Sequence, residues 1–580
     1  MITIEINGRS VEATQGEWLL DVIRREGIQV PTLCHMQDLF PSGACRMCVV
    51  EAEGQSALVP SCACQVQGPM KIQTHSPRVI RARKTIVELL LSNHPDDCLY
   101  CVRNNNCELQ TLAAQHGVAQ RRFFAADKSP EVDCSSPSIQ REPAKCILCG
   151  RCVRTCEEVM GVSAIDFIHR GSKTKVAPAF DMGLNESNCV SCGQCIVVCP
   201  TGAITEISHI QRVQDALADP ERIVVLQHAP AVSVTLGEEF NLPVGQDVDG
   251  LLVAAARRIG FNYVFDTSFS ADVTIMEEGS ELVSRIKNDG PWPMFTSCSP
   301  AWVSFVETQF PQFIPNLSTC KSPQQMLGAL IKSYFADRSQ IDPDKIFSVS
   351  VMPCTAKKAE SAREDHGRED IDAVLTTREL ASLLRQRGVS LQGLSPEASD
   401  SILGERSSAG KIFGTTGGVM EAALRSVQFL LTGKAPAAMD FTALRELQGL
   451  REASVEINGQ SIKVAVVSGL SAARKLLDQI SRGEAFYHFV EIMSCPGGCV
   501  AGGGQPYHVQ PEKIRARMKA LYTVDQTATL RCSHENPQLQ ALYRDYLGEP
   551  MGEKSHHLLH TQYTDRSSKA QKSKPANSKD

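Results

Sequence analysis

The chain has 580 residues, 42% of them hydrophobic and 21% charged. Single cores stop growing near ~250–300 residues, so several domains are expected. The formal net charge of −6 offers no basic face of the kind nucleic-acid binding needs, and no apolar run approaches the ~20 residues that span a bilayer. The first residues, Met1-Ile2-Thr3-Ile4-Glu5-Ile6, alternate like a strand and lack the basic-then-apolar layout of a signal peptide, so a cytoplasmic location is expected. Cysteine is the anomaly: there are 23, most of them in tight groups. A reducing compartment does not maintain structural disulfides, so such groups read as metal ligands or redox centres.

In chain order, Ile2 to Val11 reads as two strands about an Asn7-Gly8 turn, followed by a short helical stretch from Glu17 to Glu26. Cys34, Cys45, Cys48 and Cys62 come next, with Cys64 as a spare thiol. This pattern resembles a plant-type [2Fe–2S] ferredoxin, in the spacing found in respiratory complex I and hydrogenases; zinc is the alternative. His94, Cys98, Cys101 and Cys107 fit zinc and a [4Fe–4S] cluster equally well as a ligand set. Their place after a [2Fe–2S]-like module resembles complex I and hydrogenases, which implies a cubane whose single imidazole raises its potential. Cys146, Cys149, Cys152 and Cys156 then follow C-x2-C-x2-C-x3-C, and Cys189, Cys192, Cys195, Cys199 and Pro200 repeat it. This is the two-cluster ferredoxin signature, in which the fourth cysteine of each run serves the other cluster. One cubane is therefore assigned Cys146, Cys149, Cys152 and Cys199, and the other Cys189, Cys192, Cys195 and Cys156. Glu157 stands where the first run would carry proline. Cys134, Cys320 and Cys532 are unassigned.

The second half carries three spaced cysteine motifs. They are Phe295-Thr296-Ser297-Cys298-Ser299-Pro300-Ala301-Trp302, Met352-Pro353-Cys354-Thr355-Ala356-Lys357-Lys358, and Glu491 to Pro506 with Cys495 and Cys499 ahead of Gly502-Gly503-Gly504. Phe413 to Arg425 forms a fourth block around Thr416-Gly417-Gly418. Alone, each has a bland reading: a buried small hydrophobe, or a glycine loop. Together, and in this order, they resemble the signature loops of the [FeFe]-hydrogenases, and the resemblance extends from residue 1 to about 565. It implies an H-cluster: a [4Fe–4S] cubane bridged to a two-iron unit with CO, cyanide and azadithiolate. Position by position it implies Cys354 and Cys495 as cubane ligands and Cys499 as the bridge. Lys357 would bond one cyanide, and the backbone near Pro230 and Ala231 the other. Gln324, Met352, Met493 and Phe413 would pack around the site. A proton relay of Cys298, Glu278, Ser318, Glu281 and Arg285 is implied as well; Glu278 and Glu281, three apart, share a helix face. Without the resemblance, two such glutamates read as a solvated helix surface. The family's first loop is Thr-Ser-Cys-Cys-Pro-x-Trp. Here Pro300 and Trp302 fix the register, so Ser299 falls in the ligand slot and Cys298 in the relay slot; a shifted loop with Cys298 as the ligand is the alternative.

The expected fold is α+β and multidomain. It comprises a β-grasp [2Fe–2S] ferredoxin-like domain (1–78), a histidine-plus-three-cysteine cluster domain (79–118) and a two-[4Fe–4S] ferredoxin-like domain (139–209). An α/β two-lobed H-cluster domain (215–506), a small-subunit-like segment (507–565) and a disordered tail (566–580) complete it. Within 222–290, Ile223-Val224-Val225-Leu226 and Asp272-Val273-Thr274-Ile275-Met276 read as apolar strands among helical stretches. Leu530 to Tyr563 reads as a helix wrapping the catalytic domain, its histidines His556, His557 and His560 not being taken as a metal site. The expected activity is reversible H2 oxidation and proton reduction. Electrons would pass through one [2Fe–2S] and three accessory [4Fe–4S] clusters to a ferredoxin or to flavin- and NAD(P)-binding iron–sulfur subunits, and maturation enzymes would build the H-cluster. A non-catalytic or sensory iron–sulfur relative is the competing reading; Lys357, Glu278, Glu281 and Cys499 speak for catalysis.

Overall fold

The structure is a computed structural model that describes residues 1–124, 131–364, 369–434, 439–445, 449–457 and 459–567. Most of the expected tail thus lies outside the described residues. At the amino end, Ile2–Ile6 pairs antiparallel with Arg9–Ala13, and Asn7 and Gly8 both adopt positive φ, as a tight hairpin turn requires. Ile2–Ile6 pairs parallel with Lys71–Gln73 on its other side, and Val49–Ala52 and Val59–Pro60 complete a five-stranded sheet. The helix Leu19–Arg25 buries Leu19, Leu20, Val22 and Ile23 against it, which is the β-grasp arrangement.

The ferredoxin-like segment contains two small antiparallel pairs, Ile139–Arg141 with Ile204–Glu206 and Asp166–Ile168 with Lys175–Ala177. Beyond it lie two four-stranded sheets. The first runs Tyr263–Asp266, Ile223–His228, Ile346–Met352, Ala373–Thr376, all parallel. Val224, Leu226, Val264, Val349 and Val374 are all fully buried, as expected of parallel strands covered on both faces. The second sheet runs Met294–Phe295, Phe489–Met493, Gln460–Ser468, Gly449–Ile457; its first three strands are parallel.

Two expectations are corrected. Asp272 to Met276 lies inside the 21-residue helix Ser268–Asn288, not in a strand. The helix is buried almost all round, so its β-branched run carries no period to distinguish it from a core strand. Leu530 to Tyr563 is not one helix but short turns over Ser533–Glu535, Pro537–Leu542, Tyr543–Leu547 and Glu553–Leu559. Pro537 and Gly548, the latter with φ +88°, break the run.

Candidate active site

All three cysteine motifs leave the carboxyl end of a parallel strand. Phe295 leads to Cys298, Met352 to Cys354 and Met493 to Cys495, while His228 leads to Pro230 and Ala231. Crevices beyond the carboxyl ends of parallel strands are where α/β sheets place their sites. Here two sheets point such ends at one cavity of about 90 Å³. Cys298, Ser299, Cys354, Cys495, Cys499, Lys357, Pro230, Ala231, Gln324, Met352, Met493 and Phe413 all line it. Apart from Thr267 and Ser494, the rest of its wall is apolar side chains, glycine and Cys192. The glycines of the third motif serve close approach: a Cβ on Gly503 would collide with the backbone of Cys192 and Gly193, and one on Gly498, at φ +88°, would lie 2.7 Å from the Thr416 amide.

Lys357 Nζ donates to Cys298 O at 3.2 Å and pairs with Glu360 at 2.9 Å. Ser299 Oγ lies 2.7 Å from Ser494 Oγ, next to Cys495. Burial pushes the Cys298 thiol well above its ordinary pKa, and Glu278 is the charge that adds most to the effect. Ser297 N donates to Glu278 Oε1 at 3.3 Å, while Glu278 Oε2 is buried without a hydrogen-bond partner. Burial raises the Glu278 carboxyl to about 8. Farther along, Glu281 Oε2 accepts from Ser318 Oγ at 2.9 Å and Glu281 Oε1 from Arg285 at 2.6 Å. Of the expected relay, Ser318 and Arg285 thus meet at Glu281, while Glu278 acts on the Cys298 thiol through its charge.

The other ligand sets are equally well separated. One cavity is lined by Cys146, Cys149, Cys152 and Cys199, another by Cys156, Cys189, Cys192 and Cys195. Each is about 30 Å³ against about 90 Å³ at the site between the two sheets. Four ligands on one tetrahedral zinc (Zn–S ~2.3 Å) crowd within ~4 Å of one another. Among the described residues, the His/Cys/Asp/Glu groups with all ligand atoms within 4.8 Å include none of these tetrads. Backbone amides reach Cys146, Cys156 and Cys189 sulfurs at 3.3–3.4 Å, the N–H···S pattern that tunes a cluster. Near the amino end, Cys34 interacts with Cys45 and Cys48 with Cys62, which brings the four thiols together in two pairs. Cys64 stands apart, its sulfur directed at Gln65 O. His94 is buried and its Nδ1 has no partner, as a ligand imidazole awaiting its metal would be, while Cys98 is exposed.

The tetrads are also neighbours. Arg151 lies in the fields of both Cys45 and Cys149, and a Cβ on Gly202 would meet Cys101 Sγ at 2.9 Å. Both amino-terminal modules thus abut the Cys146 tetrad. Gln194, inside the second cysteine run, donates to Cys495 Sγ at 3.1 Å, and Cys192 itself lines the large cavity.

Sequence reasoning missed Glu277, Tyr543 and Glu360. Glu277 accepts from Tyr543 Oη at 2.7 Å and meets His560 Nε2 at 3.1 Å. Glu360 gathers Lys357, Ser322 and Gln324. Only the block Glu277-Glu278 hinted at the first, and nothing local marked Glu360.

A chain of thiol-lined chambers ending at a buried pocket, with titratable groups leading away on one side, suits chemistry that moves electrons and protons together. The fold and site define a multicluster iron–sulfur oxidoreductase. The iron only hydrogenase large subunit, C-terminal domain, matches residues 222–503, and the iron hydrogenase small subunit matches 511–566. A 2Fe-2S cluster binding domain matches 1–77, the NADH-ubiquinone oxidoreductase-G iron-sulfur binding region 83–122, and a 4Fe-4S dicluster domain 145–203. The NADP-reducing hydrogenase subunit HndD of Solidesulfovibrio fructosivorans is 45% identical over 98% of this chain and 99% of its own. Iron hydrogenase 1 of Clostridium pasteurianum is 41% identical over 97% of this chain and 100% of its own. A solved structure of the [FeFe]-hydrogenase HydA1 of Chlamydomonas reinhardtii superposes with a TM-score of 0.57 at 40% identity, covering 62% of this chain and 99% of that one. The chain belongs to the iron-only ([FeFe]) hydrogenase family. It is a hydrogenase whose catalytic domain takes an H-cluster and whose accessory domains take [2Fe–2S] and [4Fe–4S] clusters.

Proposed function

We propose that Cys354, Cys495, Cys499 and Ser299 hold the H-cluster, and that Cys298, Glu278, Ser318, Glu281 and Arg285 carry its protons. The convergence of these side chains on one cavity that Cys192 also lines supports the reading. When bound, the cluster supplies the site where H2 is split or formed. The protein's part is to hold, dry and connect it. Lys357, fixed by Glu360, presents a cation to the cavity for an anionic ligand. Met352, Met493, Phe413 and Gln324 exclude water, and the neutral Cys298 thiol passes protons to and from Glu278.

The accessory ligands are assigned as one [2Fe–2S] (Cys34, Cys45, Cys48, Cys62) and three [4Fe–4S] clusters (His94, Cys98, Cys101, Cys107; Cys146, Cys149, Cys152, Cys199; Cys156, Cys189, Cys192, Cys195). With the H-cluster this gives about 20 irons per chain. Expression without dedicated maturation enzymes is expected to keep the cubanes and lack the two-iron unit. Iron analysis and infrared spectroscopy check it, and an active preparation without CO and cyanide bands would overturn it.

The domain division is proposed as 1–78, 79–118, 139–209, 215–506 and 507–565. Electrons are proposed to exchange with a ferredoxin or with flavin- and NAD(P)-binding subunits in the cytoplasm; the similarity to an NADP-reducing subunit supports this, and among the described residues no helix is long and apolar enough to cross a membrane. Entry is placed at the amino end, where Cys98, Leu99 and Tyr100 are exposed. Removal of residues 1–118 is expected to abolish partner-coupled turnover while sparing H2 evolution from a small artificial donor. Equal loss of both activities would count against a modular wire.

A further inference from the structure

The relay ends awkwardly at Arg285. A guanidinium has five donors and no acceptor, and it does not give up its proton in proteins. Here it is also tied down: besides Glu281 it donates to the carbonyls of Pro291, Asn316 and Leu317 at 3.0–3.3 Å. These contacts orient Glu281; they give its proton nowhere to go.

On the other oxygen of Glu281 the surroundings differ. Glu281 Oε2 accepts from Thr319 N at 3.1 Å and lies 3.5 Å from Thr319 Oγ1. Thr319 Oγ1 lies 2.8 Å from His560 Nδ1, and His560 Nε2 lies 3.1 Å from Glu277 Oε2. Ligand atoms of Glu281, Cys320 and His560 all fall within 4.8 Å of one another. The His560 ring is buried, but it stacks at 4.7 Å on His556, which is exposed on the helix Glu553–Leu559 that His560 caps. Imidazole is the side chain whose ordinary pKa lies in the working range of an enzyme.

We propose that His560, reached through the Thr319 hydroxyl, takes the proton from Glu281, and that Arg285 is a positioning residue. The proposal rests on the relay reading given above and extends it. In the H2-oxidising direction, Glu281 in its acid form gives its proton to Thr319 Oγ1, which releases its own to His560 Nδ1. Glu281 is left as a carboxylate paired with Arg285, and the imidazolium is held through Nε2 by Glu277. Glu277 is itself fixed by Tyr543 Oη and by Met551 N, at 2.7 Å each. The exposed His556 face places solvent one ring away. H2 evolution runs the same transfers backwards. The charged and titratable groups facing His560 are Glu277 and Glu281 from the helix Ser268–Asn288, Cys320 from the loop beside Thr319, and His556 from its own helix; Tyr543 acts on it through Glu277.

The test uses the matured holoenzyme. His560→Gln keeps an amide for Thr319 and Glu277 but cannot titrate; Thr319→Val removes only the bridging hydroxyl and keeps the backbone bond to Glu281. Each is expected to lower kcat about tenfold, with KM for H2 and the CO and cyanide infrared bands unchanged. Wild-type kcat in either variant would overturn the proposal, and Thr319→Val decides it should His560→Gln fail to mature. Glu278→Gln separates the two readings. Full turnover in that variant removes the relay itself, whereas an inactive Glu278→Gln beside normal Thr319→Val and His560→Gln removes only the histidine outlet.

Discussion

Cys298→Ala is expected to leave the H-cluster fully assembled and to lower H2 turnover by about 10³-fold or more. The argument is one of register. Pro300 starts the helix Pro300–Gln309, so Ser299 is its N-cap and the two side chains before it leave the backbone in different directions. Ser299 stands against Ser494 beside Cys495, while the charges acting on Cys298 begin with Glu278. Burial raises the Cys298 thiol, and Glu278 is the charge that adds most to this, which suits a group that passes protons to a buried carboxyl. Iron in such clusters prefers thiolate, so a serine ligand makes the cubane harder to reduce. Ser299→Cys, restoring four thiolates, is accordingly expected to raise the cubane potential without loss of assembly. Infrared bands, iron content and potentiometry of the two variants check the assignment. Loss of the cubane from Cys298→Ala would show instead that Cys298 is the ligand and that protons leave by another route.

Glu278→Gln should lower turnover by about 10²-fold or more, since an amide cannot be protonated or deprotonated in this range. The same residue sets a pH dependence. Burial, with Glu281 nearby, holds its carboxyl protonated up to about 8. As pH rises through about 8, the acid form that supplies Cys298 disappears, so proton reduction should fall away there beyond the loss due to proton concentration. H2 oxidation is less affected, because the carboxylate accepts the outgoing proton. In stability the sign follows from the raised value. The folded state binds the proton more tightly than the unfolded chain, whose glutamate titrates near ~4.3. The contribution is fully present below that value and is lost as pH rises through about 8. Glu278→Gln should therefore match the wild type in melting temperature below about pH 4 and exceed it by a margin that grows up to about pH 8. A variant that keeps the wild-type break in proton reduction near pH 8 would take Glu278 out of the relay.

Much of this protein is written locally. A cubane wraps about ten residues of chain, so C-x2-C-x2-C spacing alone marks Cys146, Cys149 and Cys152 as ligands of one cluster. The Asn7-Gly8 turn is local too, because only backbone geometry decides it. The resemblance of the later motifs added what spacing could not, namely which distant loops share one centre. Other features were silent in the sequence. Asp272 to Met276 could not be told from a core strand, since burial on all sides erases the period that separates helix from sheet. Nothing near Gly202 or Arg151 told that both amino-terminal modules meet the same tetrad. Glu277 and His560 lie 283 positions apart, and their contact depends on how the carboxy-terminal turns pack on the helix Ser268–Asn288. The sequence by itself offered the candidate ligands and the class of chemistry, because metal ligation and turn geometry act over a few residues. Only the tertiary structure decided which modules abut the Cys146 tetrad and that Glu277 meets His560, because contacts between distant segments follow from packing, which leaves no periodic trace in the chain.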